Sequence, residues 1–248
     1  MNTPIIYEFP LNERIRVFIR LEQLFQQFNH HLHGENVADK RAAISALFDI
    51  VAIFKRNDLK SEILKELDRH ANALKISPNP NQDVTQLTEI SQKLYAMTGK
   101  IGNHLIDNVL FQSITQRSTI PGGTCSFDLP EFHYWLTQNN EACFRDLSDW
   151  SQPFVDIGRA IDLILSFIRA SHTVTEEIAP VGFFQITLDT HFSYQLLTVS
   201  VDKKQPYFVE ISGGKHRCTI RFMRPSQNSQ RPLQSTENIP FTLTRCIF

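Results

Sequence analysis

Apolar side chains recur every three or four residues through the first two-thirds of the chain and every second residue through the last third. That change of period predicts helices followed by strands. Leu11, Ile15, Phe18, Leu21, Phe25, Phe28 and Leu32 make one stripe of a helix opening at Asn12, whose side-chain oxygen can accept from a free first-turn amide. A second helix carries Ile44, Leu47, Val51 and Phe54. A third, with Asp58 as its cap, carries Ile63, Leu67 and Leu74 and ends before Ser77–Asn81, where two prolines forbid continuation. Asp83 and Gln86 read as a variant capping box for a fourth helix bearing Leu87, Ile90, Leu94 and Met97, with Gly99 as its stop. A fifth helix is predicted over 103–115, a short one over 131–137, a further segment over 141–150 and a strong one over 153–170 that starts on Pro153.

The stranded part is predicted over 181–189, 195–201, 207–211, 217–223 and 240–247, with 5–9 as a further strand docking on the same sheet. Gly213 and Gly214 both suit a tight hairpin turn, since glycine takes positive φ without steric cost. The segment 224–238 is polar and reads as a loop, and 171–180 as the boundary between the two parts. The expected fold class is α+β, with a bundle of about seven helices over 1–180 and an antiparallel sheet over 181–248.

Composition narrows the class. The 248 residues are 42% hydrophobic and 21% charged, enough for a sizeable core, and no apolar run reaches membrane-spanning length. The N-terminus lacks the basic start and apolar stretch of a secretory signal. Four cysteines without Cys-x-x-Cys spacing read as reduced, mostly buried thiols of a cytosolic protein. The net charge of −1 conceals an asymmetry: from Val181 onward eight Lys or Arg face four acids, whereas the remainder carries 17 basic and 22 acidic groups. A basic C-terminal part favours an anionic partner there.

In a strand from Lys215 onward, Lys215, Arg217, Thr219 and Arg221 share one face, and His216, Cys218, Ile220 and Phe222 the other. Such a row is either a solvated face or a grip for carboxylates through paired N–H bonds. Arg16 and Arg20 are helical neighbours, and a surface arginine paired with an acid also accounts for Arg20. The loop around Pro121, Gly122 and Gly123 supports three readings. A phosphate cradle lacks the following Gly-Lys-Ser/Thr, and a Cys125/Asp128/His133 enzyme lacks a nucleophile motif. The third reading is architectural: Phe127 and Leu129 wedge into the core and His133, Tyr134 and Trp135 stand beside the sheet. His30, His31 and His33 lack the cysteine or carboxylate that would complete a metal set. The alternating charges of 55–70 suit a solvated helix face or a dimer seam. A nucleic-acid-binding regulator using the basic sheet is the alternative function, but the near-neutral net charge argues against a broad basic stripe.

Three segments carry a family resemblance: Tyr7–Phe25, Arg117–Leu136 and Ile211–Met223. Within them stand Asn12, Glu13, Arg16 and Arg20 in an LNE-x-x-R-x-x-x-R pattern, then Ile120-Pro121-Gly122-Gly123 and Cys125-Ser126-Phe127-Asp128-Leu129-Pro130. Together they resemble the ZapD family, bacterial cell-division proteins that bind and cross-link filaments of the tubulin-like FtsZ. The resemblance implies a non-enzymatic cytoplasmic homodimer at midcell, with no cofactor or metal, no nucleic-acid partner and no membrane insertion. It implies that a basic groove between helices and sheet takes the FtsZ C-terminal tail, through Arg20, Lys215, Arg217 and Arg221, with His133 and Arg56 as further contacts. One departure stands out: 102–113 holds no Arg or Lys, although family members can place basic residues in that helix.

Overall fold

The structure, a computed structural model, describes residues 4–56, 58–76, 82–226 and 231–247, with the side chains of 56, 75, 76, 82 and 83 outside that description. Among the described residues seven α-helices run α1 Glu13–Leu32, α2 Val37–Arg56, α3 Leu59–Ile76, α4 Gln82–Ala96, α5 Val109–Ser118, α6 Pro130–Leu136 and α7 Asn140–Ala170. The strands are β1 Ile5–Pro10, β2 His172–Ala179, β3 Phe183–Thr187, β4 Tyr194–Val201, β5 Phe208–Gly213, β6 Arg217–Arg224, β7 Leu233–Gln234 and β8 Ile239–Ile247. The fold class is α+β, and every strand pairing is antiparallel.

Two compact units result: one takes the residues up to Phe18 and from Leu165 onward, the other Ile19–Ile164. The first contains two sheets where the sequence predicts one. Their orders are β1-β4-β8-β2 and β3-β6-β5, with β7 also paired to β6. Val199, Val201, Phe241 and Leu243 of the first sheet cluster with Val209, Ile220 and Phe222 of the second, so the unit is a two-layer sandwich around an apolar core. Burying each of these side chains stabilises the fold by about 1.5–3 kcal/mol.

The strand expected over 5–9 is β1, which runs antiparallel to β4 from Ile5 opposite Val201 to Pro10 opposite Leu196. The segment 171–180, read from sequence as a boundary, is instead mostly β2, paired along its length with β8. Its alternation is inverted. Val174 and Ile178 are 52% and 60% exposed, while Thr175 and Glu177 sit opposite core residues Leu243 and Phe241. Glu177 is accommodated there by Arg245, whose guanidinium lies 3.1 Å from it and also donates to Thr175. A polar inner face carries no strand signal in the sequence.

The helical unit has its own core: Phe25 and Phe28 of α1, Leu47 and Ile50 of α2, Ile63 and Leu67 of α3, and Phe154, Ile157, Ile161 and Ile164 of α7. A run of aromatic rings passes through it. Phe132 stacks on Trp135 at 5.9 Å and Trp135 on Trp150 at 5.8 Å, Trp150 meets Phe111 at 5.6 Å, and Phe111 meets Phe48 at 4.9 Å. The buried indole of Trp135 donates to Asp146 at 2.7 Å. Trp135 is thus a buried part of the helical unit's own core.

Asn12 caps α1 as expected, accepting from the Ile15 amide at 2.9 Å. Other boundaries moved. Asp83 falls inside the first turn of α4, and Ser77–Asn81 lie outside the described residues. The helix predicted over 103–115 is a 3-10 turn at Asn103–Leu105 followed by α5, which starts later because Asn108 accepts from the Phe111 amide at 2.8 Å. The two helices predicted over 141–150 and 153–170 are one, α7, with Pro153 inside it. An interior proline costs about 3 kcal/mol. The buried stripe Leu147, Trp150, Phe154, Ile157 runs unbroken past it and offsets that cost. The polar loop over 224–238 is partly structured, because Leu233 and Gln234 pair with Arg224 and Met223.

The cysteines give a test of this arrangement. Cys125 is exposed, and Cys143, Cys218 and Cys246 are buried and free. Burial raises the thiol pKa of Cys218, and it pushes that of Cys246 up to about 11. In native protein at about pH 8 a thiol reagent is expected to modify Cys125 rapidly and to reach the other three only after denaturant is added. Peptide mapping that finds fast modification of Cys218 or Cys246 contradicts the described core.

Candidate functional site

The β5–β6 hairpin presents the cationic residues. On β6, Cys218, Ile220 and Phe222 are fully buried, and the opposite face carries Arg217, Thr219, Arg221 and Met223. Strand geometry therefore forces both arginines outward once the apolar side is packed. β6 is flanked on both sides, with Arg221 opposite Phe183 of β3 and Glu210 of β5, and Arg217 opposite Thr187 of β3. The guanidinium of Arg217 donates to the side-chain oxygen of Gln185, and Ser212 and Thr219 share a 2.7 Å hydrogen bond between them.

Lys215 departs from expectation. It lies in the turn before β6, so it does not extend the strand row as the alternation predicts. The turn also differs from the sequence reading, because only Gly213 of the glycine pair takes positive φ, at 142°. A Cβ on Gly213 would stand 2.3 Å from the Arg217 carbonyl oxygen, whereas one on Gly214 would meet nothing within 4 Å. Gly213 alone is indispensable to the turn. The Gly214 amide donates back to the Arg217 carbonyl at 3.0 Å, and the Cys218 thiol donates to the Gly214 carbonyl at 3.3 Å.

Arg20 is exposed on α1 and His133 is exposed on α6; both belong to the helical unit, not to the sandwich. The side chain of Arg56, at the end of α2, lies outside the described residues. Arg16, the helical neighbour of Arg20, pairs with Glu13 at 3.2 Å and lies over the Phe9 ring. The structure thus brings Arg217, Arg221 and Lys215 together on one hairpin.

The Pro-Gly-Gly loop is a chain of tight turns, closed by bonds from Gly123 to Ile120, Cys125 to Gly122 and Leu129 to Cys125. Arg41 pins it by donating to Thr124 at 3.0 Å while lying over the Phe132 ring at 5.0 Å. Leu129 is buried as expected, but Phe127 is 79% exposed, so the wedge is Leu129 alone. Asp128 faces Arg117 at 3.9 Å. Among the histidines, His31 bonds Asp39 at 2.9 Å and His33 lies against Phe144. Among the described residues no group of three metal-binding side chains gathers.

A family model described as ZapD, cell division protein, matches residues 19–221. The chain belongs to the ZapD family. A cell division protein ZapD of Methylococcus capsulatus is 46% identical over the full length of both chains. Those of Aromatoleum aromaticum and Nitrosomonas eutropha are 36% and 37% identical over 98% of this chain and 98% and 99% of their own. The role of the chain lies in cell division, and its relatives carry the name of no catalytic activity. Among the described residues no helix is long and apolar enough to cross a membrane.

Gln185 and Glu210 are the parts of this face that sequence reasoning missed, because only strand register sets them beside the arginines, Gln185 from the distant β3 and Glu210 from across the hairpin. The hairpin geometry is testable. Gly213→Ala is expected to destabilise the protein by about 1–3 kcal/mol, the scale of a strained backbone conformation. Gly214→Ala is expected to be neutral or stabilising by up to about 1 kcal/mol, through a less flexible unfolded chain. Denaturant unfolding of the two variants side by side checks the contrast.

Proposed function

We propose that the chain binds the C-terminal tail of FtsZ and cross-links FtsZ filaments, promoting assembly and stability of the division ring. The observation that carries this reading is the outward pair Arg217 and Arg221 on a strand whose other face is locked into an apolar core. Guanidinium groups hold carboxylates through paired N–H bonds, so a row of them suits an acidic, extended peptide. Membership of a family of cell division proteins supports the choice of partner.

In this reading Arg217 and Arg221 are the principal anchors, Lys215 supports them from the turn, and Arg20, His133 and Arg56 add contacts. The acting species is a homodimer in the cytoplasm at midcell. Two equivalent sites on a symmetric dimer bridge two filaments, and many tails along each polymer raise the effective concentration enough to offset modest affinity at a single site.

Co-sedimentation with FtsZ, with and without its tail, tests the reading. The intact chain is expected to pellet with full-length FtsZ filaments and to stay in the supernatant with tail-less ones. Arg221→Glu is expected to weaken pelleting roughly ten-fold, on the order of 1.4 kcal/mol, with circular dichroism unchanged because the side chain is exposed. Undiminished pelleting by Arg221→Glu and by Arg217→Glu removes these anchors, and equal pelleting with tail-less FtsZ removes the partner segment.

A further inference from the structure

The sandwich leaves the edge of β2 open. β2 is last in its sheet and pairs along its whole length with β8, and among the described residues no strand pairs with its other side. An open edge carries a row of backbone N–H and C=O groups without strand partners, and proteins ordinarily blunt it with proline, lysine or a bulge. The residues of β2, His172–Ala179, include neither proline nor lysine, and their register with β8 runs without a shift. The far edge of the same sheet differs: β1 ends in Pro10, and its Glu8 is tied to Arg169 at 2.8 Å.

The side chains of β2 add to the open backbone. Its inward side is polar, with Glu177 held by Arg245, while Val174 and Ile178 point outward and are more than half exposed. Between them stands Glu176, exposed, whose carboxylate accepts from the Thr242 hydroxyl at 2.9 Å and pairs with no cation among the described residues. The apolar surface continues into the turn after the strand, where Val181 is 53% exposed at a φ of 52°. A β-branched residue is strained in that left-handed conformation, and glycine or asparagine would take it at lower cost. The surroundings enforce it: the Val181 amide donates to the Asn238 side chain at 3.1 Å, and its carbonyl accepts from the Gln234 side chain at 2.9 Å. Strain of this kind collects at clamps and contact sites. The branched side chain of Val181 gains from burial only when a partner covers it.

We propose that β2 takes an extended segment of another protein as a further strand, with a lysine or arginine opposite Glu176 and apolar side chains on either side covering Val174, Ile178 and Val181. Main-chain bonds to the open edge supply affinity, and the alternate side chains supply the choice of partner. An opposite charge directly across a strand pair stabilises it, and a like charge does the reverse. That rule disfavours a second copy of β2 as the occupant, because the antiparallel register that sets Val174 against Ile178 also sets Glu176 against Glu176. The β6 face, whose cations suit an acidic segment, selects a different ligand, so either surface can fail without the other.

The test uses the full chain and a fluorescent peptide with valine at each second position around a central lysine and threonine between, followed by anisotropy. The peptide is expected to bind saturably, and the same peptide with glutamate for lysine roughly ten-fold or more weakly. Glu176→Lys, at an exposed position, is expected to reverse that preference, and binding of the glutamate peptide then shows that the variant is folded. In the unaltered chain, N-methylation of one alternate set of peptide amides is expected to abolish binding and of the other set to leave it intact, since only one edge of an added strand faces β2. Val181→Asn is expected to raise the denaturant midpoint while weakening binding about three-fold or more. Arg221→Glu is expected to leave peptide binding unchanged, so failure here and failure of the β6 reading are told apart. Absence of saturable binding, equal binding of the lysine and glutamate peptides, no reversal in Glu176→Lys, equal loss with either methylated set, undiminished binding by Val181→Asn, loss of binding in Arg221→Glu, or tighter capture of a peptide copied from His172–Ala179 each overturns the proposal.

Discussion

The rest of the candidate site depends on the burial of one side of β6. Cys218, Ile220 and Phe222 are packed between the two sheets with no exposure, and neighbouring strands hold β6 from both edges. Sliding the strand by one residue would place Arg217 and Arg221 in that core, at an effective cost of several kcal/mol for each unpaired charge. The apolar half of the strand therefore fixes where the cations point more firmly than any contact the cations make themselves. Gly213 completes the constraint, because a Cβ there would collide with the Arg217 carbonyl across the turn.

Helical elements were legible in the sequence wherever the signal is local. The stripe of α1 and its Asn12 cap are written in adjacent residues, and the buried positions Ile15, Phe18, Leu21, Phe25 and Phe28 follow the spacing. Pro153 misled because the rule against interior proline is also local, whereas the packing that overrides it comes from elements far away in the chain. β2 was not legible for a similar reason. With Val174 and Ile178 outward and Thr175 and Glu177 inward, its pattern inverts the usual one, and only Arg245, some seventy residues on, makes the inward acid tolerable.

The candidate site divides along the same line. The alternation of Arg217 and Arg221 against Cys218, Ile220 and Phe222 was readable, since a strand needs only its own residues to set its two faces. The place of Lys215 was not, because the strand begins two residues later than the alternation suggests. Phe127 was misassigned because a loop has no period from which to infer a side, and only its bonded turns decide which of Phe127 and Leu129 goes inward.

The neighbours supplied by register also differentiate the two arginines. Arg217 is held by a neutral partner, Gln185, which fixes the direction of the guanidinium without cancelling its charge. Arg221 has an acid, Glu210, directly across the ladder on β5, and both are exposed with no ion pair formed between them. An incoming carboxylate at Arg221 must therefore share its field with Glu210, whereas one at Arg217 meets an oriented and uncompensated cation. In the proposed reading Arg217 therefore holds the tail's carboxylate in one geometry, which acts on dissociation. In the same reading Arg221, an anchor whose charge is partly offset by Glu210, discriminates against partners too weakly acidic to compete with that acid.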